Sequence, residues 1–226
     1  MRTFHHSIRA ITSGLIIGLW LLWGGSCQKK GESPVYQETK ALYVRQPHNL
    51  PLIEKLMMLE LLEQDRPQEV IRLYEVHRRI LTEQVMAGIY YATALCKMAG
   101  IQKKPAEQLA YVRKGMHEFE VLAERWPNEG RVFLWMAITY SNFPELLGAD
   151  TMVIETIQAI TEKIAAGQWQ FEKEELRQLV YAYINLAREY TNRAYLEAAR
   201  TQATITGLGK DEGVQKALAL AARRFK

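Results

Sequence analysis

From residue 52 to the end of the chain, apolar positions recur at the three-and-four spacing of a single helix face, and strand-like alternation is nearly absent. The pattern predicts an all-α body. Its first helix, 52–63, runs into Asp65-Arg66-Pro67, where Asp65 can cap and Pro67 can occupy the first turn of a second helix over 68–81. Two helices joined this tightly form an antiparallel hairpin. Further helices are predicted at 84–98 and 106–125, at 130–141 and 151–165 with Asp150 as a cap, and at 172–190 and 193–204. Gly207-Leu208-Gly209 then breaks the chain before a last helix at 211–223. Four hairpins and one extra helix account for nearly all of this region.

The first helices of the hairpins begin near residues 52, 84, 130 and 172, at spacings of 32, 46 and 42 residues, within the range of helical-hairpin repeats. In the third unit Phe133, Met136, Ala137 and Tyr140 stand where the tetratricopeptide repeat has its tryptophan, leucine, glycine and tyrosine. Just upstream, Gly115, Phe119, Leu122 and Pro127 fall at its alanine, aromatic, alanine and proline positions. Over roughly residues 50–206 the chain therefore resembles the tetratricopeptide repeat family, with Met58 and Val70 replacing the small residues in the first unit. The resemblance implies antiparallel helical hairpins stacked as a superhelix, in which the first helix of each hairpin lines a concave groove. Carried over, it assigns Leu59, Leu62, Val85, Ile89, Leu134, Ile138, Leu179, Tyr183 and Leu186 to that groove, with Lys55, Ala92 and Ser141 as small or polar exceptions. So apolar a lining would suit a greasy ligand or an amphipathic partner helix. The same side chains are core if the superhelix closes on itself or the register is shifted by one, and an irregular helical bundle is the alternative architecture.

The N-terminal region has a different pattern. Arg2 and Arg9 precede an uncharged stretch over 10–23, with Leu15-Ile16-Ile17-Gly18-Leu19-Trp20-Leu21-Leu22-Trp23 at its centre, and Gly24-Gly25-Ser26 lead to Cys27. A basic start, an apolar core and small residues at the end are the three parts of an export signal. The apolar stretch falls short of the roughly 20 residues of a spanning helix. Small residues directly before a cysteine resemble the lipobox of bacterial lipoproteins, with Gly24 standing where that family has leucine. The resemblance implies cleavage after residue 26 and acylation of Cys27, which anchors the protein to a membrane. Residues 27–50, with Lys29, Lys30, Gly31, Ser33, Pro34, Pro47 and Asn49, read as a flexible tether with room for a short turn around 37–44. The expected organisation is thus a signal peptide over 1–26, a tether over 27–50 and a helical domain over 51–226.

Charge and chemistry narrow the function classes. The whole chain carries 29 Lys and Arg against 25 Asp and Glu, and removing Arg2 and Arg9 with the leader leaves a net charge of only +2. That is not the footprint of a nucleic-acid binder. His48, His77 and His117 are scattered without metal-ligand spacing, and no glycine-rich phosphate loop or nucleophile elbow is present. His77 and His117 read as surface or half-buried helical residues, and Cys96, beside Leu95 and Met98, as a small buried hydrophobe. Glu172, Glu174 and Glu175 suit a helix's first turn. No catalytic residue, metal or cofactor is assigned.

The expectation is a non-enzymatic lipoprotein of the cell envelope, bound by its lipid to the periplasmic face of the outer membrane, where Gln28 and Lys29 follow the cysteine in place of an inner-membrane aspartate signal. Its body would bind an envelope protein or an apolar small molecule. Two lipoprotein classes fit: those associated with tripartite periplasmic (TRAP) transporters, and the repeat lipoprotein of the outer-membrane barrel-assembly machinery. A structural adaptor and an envelope enzyme with an unrecognised site are the alternatives, and the oligomeric state is open.

Overall fold

The computed structural model describes residues 31–225. Among them are 11 α-helices and no strand. Residues 32–225 belong to one unit. The elements are α1 (Pro34–Arg45), α2 (Leu50–Leu62), α3 (Pro67–Val76), α4 (Arg78–Leu81), α5 (Val85–Ala99), α6 (Pro105–Arg125), α7 (Gly130–Tyr140), α8 (Asp150–Ala165), α9 (Lys173–Glu189), α10 (Arg193–Ile205) and α11 (Glu212–Ala222).

Prolines and short polar caps set the helix starts. Pro67 and Pro105 occupy first turns, where a missing N–H costs nothing, and Asn49, Asn192 and Asp211 accept backbone N–H groups of the helices they precede. At the far end of α10, Gly207 adopts φ +72° while Leu208 N–H reaches back to the Ala203 carbonyl at 2.7 Å, a left-handed helix stop that suits glycine.

The helices pair as the periodicity predicts: α2 with α3, α5 with α6, α7 with α8, and α9 with α10. The first helices also touch in sequence order, α2 to α5, α5 to α7, α7 to α9 and α9 to α11, so each hairpin completes the core of its neighbour. The closest pairing is α5 with α6. A Cβ on Gly88 would lie 2.6 Å from Leu122, and one on Gly115 would overlap Cys96 Sγ and come within 2.9 Å of the Ala92 carbonyl. Between hairpins the joints are aromatic: Tyr74 stacks on Tyr91 at 4.2 Å, and Phe119, Tyr140 and Phe143 form a chain with centroid separations of 5.8 and 5.2 Å.

Three expectations require correction. The tether reading of residues 27–50 fails from residue 33 on, where Ser33 Oγ accepts the Tyr36 N–H, Pro34 opens α1, and Tyr36 and Thr39 are buried on one face against α2. A buried polar knot fixes α1: the Tyr36 hydroxyl donates to Glu60 at 2.7 Å, and Arg66 donates to the Tyr36 oxygen at 2.8 Å while pairing with Glu60 at 3.0 Å. Asp65 is not a cap. It sits at φ +53°, its carboxylate pairs with Lys97, and Arg66 takes the cap position. The helix expected over 68–81 breaks at His77, whose ring is buried rather than half-buried or at the surface, with Nε2 2.9 Å from the Tyr43 hydroxyl. Burial, then His48 and Arg72, lower the His77 pKa.

Candidate functional site

The proposed groove residues do not share one accessible surface. Ile89, Leu134, Leu179 and Leu186 are at most 1% exposed, and Leu59 and Tyr183 are also buried. Of the rest, Leu62 is exposed, while Val85 and Ile138 are half-buried. The exceptions Ala92 and Ser141 are buried too, and only Lys55 faces outward. The physical reason is the position of the first helices, each flanked by its own second helix and by the neighbouring first helices. In α5 every residue from 87 to 99 except Lys97 is buried, so its apolar surface has no open side there. For these six residues the groove reading gives way to the core reading.

A different row of first-helix side chains remains partly open. Leu50 and Met58 of α2, Met86 of α5 and Trp135 of α7 rest on the core cluster while only partly buried. Helix α5 touches the first helices on both sides of it, α2 and α7. Trp135 meets Tyr90 edge to face at a centroid distance of 5.8 Å, and Tyr90 is close enough to Glu54 of α2 and Arg131 of α7 to feel both charges. Burial first, then Glu54, pushes the Tyr90 hydroxyl up to about 12. Glu54 itself is half-buried, and the loss of water raises its carboxyl above the usual range. Polar contacts join α9 to α7 and to the turn after it, where Arg131 donates to Glu175 at 2.7 Å, and Asn185 donates to Asn142 at 3.2 Å. At the start of α7, Phe133 stacks on Trp169 at 5.3 Å, and Gly130 lies under Trp169 and Phe171.

Reading the groove from a repeat register missed Glu54, Tyr90 and Trp135. The available signal was helical spacing of amphipathic side chains, as in Glu54-x-x-x-Met58 and Met86-x-x-x-Tyr90.

Reactive groups elsewhere are enclosed. The Cys96 thiol is buried, and loss of water pushes its pKa far above that of a free cysteine. Among the described residues no three or more His, Cys, Asp and Glu side chains converge as a metal set, and no helix is long and apolar enough to cross a membrane. Cys27 and the signal-like segment 1–26 lie outside the described residues. Compared with known protein families, curated proteins and solved structures, the chain matches none of them.

Proposed function

We propose that this protein is a non-enzymatic, lipid-anchored scaffold of the cell envelope, tethered through Cys27, whose hairpin row has tetratricopeptide-like curvature and engages a protein partner along its first helices. The observation that carries the binding role is that Met58, Met86 and Trp135, on the first helices of three consecutive hairpins, are packed on the core cluster while only partly buried. Methionine adapts to a partner's shape, and a half-buried tryptophan is the side chain most often found at the energetic centre of an interface. The burial of Ile89, Leu134, Leu179 and Leu186 in the core leaves the partly buried first-helix side chains as the support for the protein-partner reading. The transporter-associated and barrel-assembly lipoproteins named from the sequence indicate the kinds of complex in which such a scaffold would work.

The test is co-purification from crosslinked envelopes of the parent organism, comparing the full-length tagged protein with its Met58→Gln/Met86→Gln variant. Both residues are half-buried, and glutamine is as good a helix former as methionine, so the fold is expected to survive. The same defined partner should accompany the parent and be lost, in large part, from a variant with an unchanged circular dichroism spectrum. Equal recovery with both proteins would place binding elsewhere and overturn the reading.

A further inference from the structure

The start of α1, the α2–α3 turn and the α5–α6 turn lie together at one end of the body. Ser33 N–H donates to Glu63 Oε1 at 3.2 Å, and Arg66 of the α2–α3 turn pairs with Glu32 at 3.6 Å. Lys97, in the last turn of α5, pairs with Asp65 and donates to the Leu61 carbonyl at 3.5 Å. Each of the three pieces of chain presents one exposed aliphatic side chain: Val35 in the first turn of α1, Leu62 at the end of α2, and Ile101 just past the end of α5.

Single exposed aliphatics are ordinary on a protein surface. These three are set apart by where the chain leads. Six residues separate Ser33 from Cys27, a span of at most about 20 Å when fully extended, so an acyl group on Cys27 would keep this end within reach of the bilayer surface. Charge agrees. The acids here are already engaged: Glu60 and Glu32 by Arg66 at 3.0 and 3.6 Å, Asp65 by Lys97, Glu107 by Lys104 at 3.0 Å, and Glu63 by the Ser33 N–H. Exposed Lys103 in the α5–α6 turn, with Lys29 and Lys30 close after Cys27 in the sequence, adds positive charge that anionic lipid headgroups attract. An acyl chain and a basic patch reinforce one another in membrane binding.

From this placement we infer that the end carrying Val35, Leu62, Ile101 and Lys103 rests on an anionic lipid surface, the three aliphatic side chains entering the headgroup region beside the anchor. The inference rests on the proposed acylation of Cys27 and adds the orientation of the anchored body. Helices α2 and α5 meet the bilayer by their C-terminal ends, which leaves the sides of the first helices free for a protein partner.

The test uses the full-length protein purified from membranes of the parent organism, with a fluorophore coupled to Leu62→Cys, Ile101→Cys, Val44→Cys or Val76→Cys, one at a time. Val44 and Val76 are exposed controls, near the Tyr43–His77 contact at the opposite ends of α1 and α3. Each lies nine residues, about 14 Å of helix, from Val35 or Pro67. Each protein is reconstituted into vesicles of phosphatidylcholine and phosphatidylglycerol containing a lipid with a nitroxide headgroup as quencher. Most of the fluorescence should be lost at 62 and 101 and little at 44 and 76, and the loss should shrink when phosphatidylglycerol is omitted. Quenching at 62 and 101 no stronger than at 44 and 76, or unchanged without phosphatidylglycerol, would overturn the inference and leave the anchor standing. Intact mass separates the two readings, because a chain with Cys27 unacylated would overturn the anchor and this orientation together.

Discussion

Replacing Ile89 by alanine separates a groove from a core. Ile89 lies in the middle of α5, is 0% exposed, and has buried neighbours on either side along the chain from Ala87 to Cys96. Removing its outer methyl and methylene groups deletes buried apolar volume in a helix flanked by α2, α3, α6 and α7, none of which can close the gap without disturbing its own packing. Such a truncation costs about 3 kcal/mol, within the range for isoleucine-to-alanine changes in well-packed interiors. For a domain of this size that corresponds to a fall in Tm of roughly 6–12 °C. The assay is thermal and urea unfolding followed by far-ultraviolet circular dichroism, with Leu62→Ala as a control at a position 58% exposed. The control should stay within about 0.5 kcal/mol of the parent. A change of under about 1 kcal/mol for Ile89→Ala would show that the side chain faces open space, and would restore the groove reading that its burial excludes.

Other expected outcomes follow from the same contacts. Tyr36→Phe removes the hydroxyl shared by Glu60 and Arg66, and should cost about 1–2 kcal/mol and speed hydrogen exchange across α1; exchange unchanged in α1 would mean the polar knot does not hold that helix. Glu54 has a folded-state pKa raised by loss of water, so its ionised form opposes folding at neutral pH, and this penalty disappears as the pH falls through the folded pKa. Glu54→Gln should therefore stabilise the protein at pH 7 and lose that gain on mild acidification, whereas a structurally required carboxylate would give a loss. Asp211 behaves oppositely: Arg177 above all holds its carboxyl below the usual range, so its contribution is present above the unfolded carboxylate pKa and fades as the pH falls through the folded value. Acid titrations of Asp211→Asn should show a flatter acid limb. Cys96 should react with an aromatic disulfide reagent only on unfolding, and rapid labelling of the native protein at pH 8 would contradict its enclosure.

The sequence and the fold agree where a single physical signal dominated. Helical periodicity gave the four hairpins, and Pro67, Pro105 and Gly207 act as starts and stops because their backbone restrictions are local. Disagreement came where tertiary contacts decide. Composition marked residues 27–50 as a tether because Lys29, Lys30, Gly31, Ser33 and Pro34 crowd its beginning, yet Ser33-Pro34 is a helix start and the Tyr36, Thr39, Tyr43 spacing supplies a face for α2. The break at His77 needed knowledge that Tyr43 would reach it from α1. The groove assignment failed for a related reason. A first helix packed on several sides carries a wide apolar stripe, and spacing along one helix cannot tell which part of that stripe meets a neighbour. Glu54 was overlooked because a lone acid in a helix is unremarkable until its closeness to Tyr90 of the next hairpin is known.

The claim that the first-helix row is the partner surface is tested most directly by site-specific photocrosslinking in intact cells of the parent organism. A photoreactive amino acid would be placed singly at positions 58, 86 and 135 of the row, and at positions 72 and 114, which are exposed on α3 and α6. The account predicts one defined envelope protein joined through the first three positions, with little or no product from the last two. Products of equal yield from 72 and 114, with none from 58, 86 and 135, would contradict it.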